Sequence, residues 1–138
     1  MKRTISIALL IICLFSFAAC KDSANTTDLW ENATYTEITE LGEGANTVKV
    51  EVKVEEHIIT FTINTDKDKV GEALLEHNLI EGDEGAYGLY VKKVNGITAD
   101  YDIDQSYWSF YINGEIAMAG VDTTDIDENA TYRIEYTK

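Results

Sequence analysis

The sequence predicts an α+β domain in which a mixed sheet carries one helix packed on one face. Three observations predict it: two alternating runs over residues 46–64, a switch to helical periodicity over 65–78, and a return to extended segments punctuated by Asn-Gly pairs. In NTVKVEVKVEE, Val48, Val50, Val52 and Val54 alternate with Lys and Glu, the pattern of a strand with one buried face. HIITFTINT then places Ile59, Phe61 and Ile63 on one face and Thr60 and Thr62 on the other, which implies a hairpin turning near Glu55 to His57.

The period then changes. In TDKDKVGEALLEHN, Thr65 is the expected N-cap with Asp68 three residues on, and Val70, Ala73, Leu74 and His77 share one stripe. The spacing predicts a helix of about three turns ending near Asn78 to Gly82. An acidic, Gly-containing loop follows, and AYGLYVKKVNG resumes extended character up to the tight turn at Asn95-Gly96. The run from Tyr107 to Ile112 puts Trp108, Phe110 and Ile112 on one face, as core beneath the helix, and Tyr107, Ser109 and Tyr111 on the other. Asn113-Gly114 supplies the positive φ angles of a type I′ turn, sending Glu115 to Met118 back along the strand. ATYRIEYTK closes the domain with Tyr132, Ile134 and Tyr136 facing one way. The order ββα followed by at least three strands is nearest to a β-grasp-like arrangement.

The front of the chain has a different character. Lys2 and Arg3 precede an apolar run from Ile5, and FAAC places two small residues before Cys20, the order of a secretory signal. The run is shorter than the roughly 20 residues a spanning helix needs. FAAC resembles the bacterial lipoprotein signal, which implies that residues 1–19 are removed and that Cys20 is lipidated, anchoring the chain to the outer face of the bacterial cell membrane. Residues 20–45, polar and acidic without sustained periodicity, read as a tether. Trp30 is the exception, with Tyr35 and Ile38 able to join it as a short edge strand.

Composition narrows the partners. Without residues 1–19 the chain holds 119 residues, with 9 basic against 25 acidic side chains, a formal charge of −16. That length suits one domain over residues 46–138, and that charge excludes nucleic acid while leaving cations open. Cys13 leaves with the signal and Cys20 is used by the lipid, so no disulfide is expected. With no free Cys and with His57 and His77 isolated, the sequence specifies no nucleophile and base, and no catalytic residue, metal site or cofactor is expected. DYDID imitates the start of an EF-hand loop, but Gln105 stands where Gly is needed and Tyr111 where the bidentate Glu belongs.

VGEALLEHNLI, YGLYVKKVNGI and YWSFYINGEIAMAGVD together resemble the transcobalamin-type C-terminal domain, and in particular free-standing bacterial lipoprotein members of undefined function. The likeness covers about residues 46–138. It implies a β-grasp-like domain that covers one side of a corrin, with Tyr107, Trp108, Tyr111, Asn113 and Gly114 as ligand contacts. Tyr87 or Tyr90, read as lying on a strand beside Tyr107 and Tyr111, would complete an aromatic platform. The expected function is a lipid-anchored, extracytoplasmic, non-enzymatic binding module capturing a small ligand such as a corrinoid for import. The alternative is a protein-interaction or adhesion module that recruits another exported protein.

Overall fold

The structure, a computed structural model, describes residues 28–138; the expected signal segment and Cys20 lie outside the described residues. In chain order the strands are β1 (Thr39–Leu41), β2 (Asn46–Val54), β3 (His57–Thr65), β4 (Ile80–Gly85), β5 (Gly88–Val94), β6 (Ile97–Thr98), β7 (Tyr107–Ile112), β8 (Glu115–Ile116) and β9 (Thr131–Thr137). The helices are α1 (Val70–Glu76) and α2 (Tyr101–Asp104), preceded by a 3-10 turn at Leu29–Asn32. The result is a mixed α+β fold, mostly strand.

The alternating runs form the hairpin they predict. β2 and β3 pair antiparallel from Asn46↔Thr65 to Val54↔His57, around a turn in which Glu55 takes a φ of 55°. β9 then pairs parallel with β2, β7 antiparallel with β9, and β8 antiparallel with β7, while β1 lies parallel along the outer edge of β3. The six-stranded order is β1-β3-β2-β9-β7-β8. Its core face carries Val48, Val50, Val52, Val54, Ile59, Phe61, Ile63, Trp108, Tyr132 and Ile134. The opposite face is polar, with Arg133 reaching Glu51 at 2.7 Å and Lys53 reaching Glu135 at 3.2 Å.

Two elements cover the core face. The stripe Val70, Ala73 and Leu74 of α1 is buried there, and so are Ile80, Val94 and Ile97 of a separate three-stranded sheet, β4-β5-β6. The expectation of one sheet carrying one helix is therefore incomplete. Residues 80–85, expected as a loop, form β4 because their backbone pairs with β5, although only Ile80 turns inward. With Glu81, Asp83 and Glu84 exposed, side-chain alternation leaves no trace of the strand in the sequence. A bulge between Glu81 and Gly82 brings Gly82 against Tyr90, whose carbonyl oxygen is 2.1 Å from where a Cβ would stand.

α1 is also shorter than expected. Thr65 does not cap it: it remains the last residue of β3, and its hydroxyl donates to Glu76 at 2.8 Å while accepting the Lys67 N–H. Lys69 is extended, and its side chain makes no cap. Backbone carbonyls substitute, with the Val70 N–H donating to Thr124 O at 2.9 Å and the Gly71 N–H to Val121 O at 2.8 Å. The loop after β8 thus satisfies two orphan donors of the helix. Asn78, at a φ of 53°, ends the turn that follows.

The segment expected as a tether is tied to the domain from Asp28 onward. Asp28 caps the 3-10 turn by accepting the Trp30 N–H, and the Trp30 Nε1 donates to Val54 O at 3.4 Å. Tyr35 packs edge-on against Phe61, ring centres 5.7 Å apart. Asn95, only 1% exposed, accepts the Tyr35 N–H at 2.9 Å and donates to the Tyr35 carbonyl at 2.8 Å. The edge strand is Thr39–Leu41 rather than a segment containing Tyr35 and Ile38; Ile38 is exposed.

Candidate functional site

The strand β7 sorts its side chains by face. Trp108 faces the core, 9% exposed, with its ring edge-on to Tyr136 at 5.5 Å and its Nε1 buried without a hydrogen-bond partner. Phe110 stacks on Tyr132 at 6.0 Å in the same layer. Tyr111 is half-buried on the polar face, opposite Arg133 on β9 and Ile116 on β8. Tyr107, at the other end of the strand, is exposed and lies 6.4 Å from the ring of Tyr101.

Asn113 and Gly114 form the turn between β7 and β8, at φ angles of 50° and 82°. Asn113 is occupied by the fold: its backbone N–H donates to Thr131 O at 2.8 Å and its side-chain oxygen accepts the Thr131 N–H at 2.9 Å. Beside Gly114 the space is open for 4 Å around the position of a Cβ.

Tyr87 and Tyr90 do not flank Tyr107 and Tyr111 within a sheet. Tyr87 occupies the tip of the β4–β5 hairpin, fully exposed, and Tyr90 lies on β5, exposed. The neighbours of β7 in its own sheet are β9 and β8, so the expected platform of Tyr107 and Tyr111 with Tyr87 or Tyr90 is split between two sheets. Asp122 ties the two regions together. Its Oδ2 accepts the Leu89 N–H at 3.1 Å, so the loop after β8 is fastened to the β4–β5 hairpin. The other oxygen, Oδ1, is buried without a hydrogen-bond partner. Met118, in that same loop, is 98% exposed. Two loops tied by one carboxylate therefore hold two large apolar side chains, Tyr87 and Met118, out in solvent.

The concave surface lies elsewhere. A cleft of about 510 Å³ is lined by Asp28, Trp30, Thr36, Val54, Glu55, Glu56 and His57, and a shallower one shares Thr36 and His57 and continues to Ile38 and Ile58. Neither includes a residue of β7. Sequence reasoning passed over this cleft because its walls come from a segment read as a linker and from a turn; the lone Trp30 was the available signal.

Among the described residues, the groups whose titration is shifted lie at the surface. The Lys69 ammonium is pushed above its ordinary range by its hydrogen bond to Asp125, and that of Lys92 by its hydrogen bond to Asp83. Asp104 is held below its ordinary range by hydrogen bonds from the Ser106 hydroxyl and backbone N–H. The residues of DYDID form α2 with its flanking cap, Asp100 accepting the Asp102 N–H and Gln105 closing the turn at a φ of 63°. Among the described residues no three His, Cys, Asp or Glu side chains converge as a metal site, and no helix is long and apolar enough to cross a membrane.

Comparison with solved structures places this fold among relatives. A "putative metal binding protein" from Ruminococcus gnavus ATCC 29149 is similar at 27% identity and a TM-score of 0.64, over 68% of this chain and 98% of that one. Haptocorrin in complex with Cbi is similar in fold at 16% identity and a TM-score of 0.52, over 71% of this chain. The match spans 27% of haptocorrin's own length. No curated protein matches the chain. A family profile described as "Domain of unknown function (DUF4430)" matches residues 67–138, which is more than half of the chain, and the chain accordingly belongs to the DUF4430 family.

Proposed function

We propose that the chain is a non-enzymatic binding module, anchored by lipid on Cys20 to the outer face of a bacterial cell membrane, and that it captures a small ligand for import. Corrinoids are the first candidate class. The observation that carries this reading is the pair of Asp122-tied loops presenting Tyr87 and Met118 to solvent. Exposed apolar side chains that form one patch mark contact surfaces, and this reading takes Tyr87 and Met118 as such a patch. Haptocorrin, crystallised with Cbi, shares the fold over a fraction of its length, which supports reading this chain as one half of an enclosure whose other half comes from a second protein. The central parallel pair β2 and β9, with β3 antiparallel to β2 on one side and the β7–β8 hairpin on the other, supports a β-grasp-like assignment.

The test is calorimetric titration of the protein with cyanocobalamin and with cobinamide. The reading expects saturable binding that weakens at least about tenfold in Tyr87→Ala with Met118→Ala, and less in Tyr107→Ala or Tyr111→Ala, because loss of an exposed aromatic contact is worth about 1–2 kcal/mol. Absence of heat with either corrinoid would sink it. A second reading, recruitment of an exported protein, is favoured by the lack of a β7 residue in either named cleft, since flat surfaces suit protein partners better than small molecules.

A further inference from the structure

We infer that the cleft beneath Trp30 is a separate binding site for a small organic cation, an ammonium group carrying apolar substituents. Its volume of about 510 Å³ falls within the size of small-molecule sites. Trp30 and His57 form two adjoining walls, their rings in contact with centres 5.6 Å apart and tilted by 54°, so that the cleft is bounded by two connected aromatic surfaces. The indole is held in place by its bond to Val54 O, and the segment just after it is fastened at the Tyr35 backbone by Asn95.

The charge around the cleft has one sign. Asp28, Glu55 and Glu56 line the cleft, no Lys or Arg does, and among the described residues none of these three carboxylates is in an ion pair. A cation over an indole face gains from the ring quadrupole, and nearby carboxylates add to the attraction where solvent is partly excluded. A divalent metal fits less well, since it needs several oxygens or imidazoles converging on a point, and no three such side chains converge here. Diffuse charge with an apolar skin matches aromatic walls and a dispersed acidic rim. Every lining residue precedes residue 67, where the family match begins, so the site belongs to the amino-terminal part of this chain.

The test uses the full chain, titrated at constant ionic strength with choline chloride and, in parallel, with its neutral isostere 3,3-dimethyl-1-butanol, followed by tryptophan fluorescence. The expected result is saturable quenching by choline at least about tenfold tighter than by the alcohol, as a cation–π contact reinforced by carboxylates requires. Glu55→Asn with Glu56→Gln should weaken choline about tenfold; Asn tolerates the positive φ at position 55, so the turn is preserved. Trp30→Leu, read by calorimetry because the reporting indole is gone, should abolish binding, whereas Trp108→Phe should leave it intact. Equal affinity for the alcohol, no saturation at millimolar choline, full binding in the double carboxamide variant, or displacement by equimolar calcium chloride would each overturn the assignment. Failure of Trp30→Leu to fold leaves the double variant and the isostere to decide.

Discussion

Asn95 does two jobs at once. With Gly96 it makes the tight turn between β5 and β6, and its side chain satisfies both backbone groups of Tyr35, sixty positions upstream. Asn95→Ala should therefore cost about 1–3 kcal/mol, because it leaves a half-buried N–H and C=O unpaired, with Trp30 emission shifting to the red as the segment loosens. Urea denaturation followed by fluorescence would measure both. Only the first job was legible, since an Asn-Gly pair announces a turn but not the distant backbone its side chain will meet. Asp104 offers a pH readout. Its folded pKa is lowered, so its stabilising effect is complete above the ordinary unfolded value of about 3.9 and is lost as pH falls through the lower folded value. Ser106→Ala removes the principal cause, and its stability deficit should be largest near neutrality and shrink below about pH 4, in melts taken across that range.

Among the elements, β2, β3 and β9 were readable because each has a drier and a wetter face, which period 2 records directly, and β7 because its aromatic run ends at an Asn-Gly turn. β4 was not, because a strand at the outside of a small sheet can be built from backbone pairing with Gly and acids alone. The same blindness hid β1, whose three residues are held to Phe61 through Ile63 by ladder bonds. The candidate site suffered more than the fold. Tyr87 or Tyr90 was expected on a strand beside Tyr107 and Tyr111, and their true sheet could not be assigned while β4 was invisible. At this scale the fully buried Phe61 is the joint between the core of the large sheet and Tyr35. Phe61→Ala should destabilise by about 3–5 kcal/mol, measured by chemical denaturation. Gly82→Ala should cost more than the fraction of a kcal/mol usual for an exposed strand position, since its methyl would meet the Tyr90 carbonyl.

For the whole molecule the dominant quantity is a formal charge of −14, with carboxylates in each of the longer loops. Self-repulsion opposes the compact state, and salt screens it over a Debye length of about 8 Å at physiological ionic strength. Raising sodium chloride from low to physiological concentration should therefore raise Tm, and a thermal melt series checks the sign. The central parallel pair carries a different consequence. β2 and β9 lie about eighty positions apart, as the Glu51–Arg133 and Lys53–Glu135 contacts record, yet they occupy the middle of the large sheet. Until Thr131–Thr137 is in place, β2 and β7 each present an open edge where the finished protein has none, and nothing joins the β2–β3 hairpin to the β7–β8 hairpin. Assembly must wait for its last strand, which makes this a high-contact-order chain that folds slowly and is exposed to edge-to-edge association in the interval.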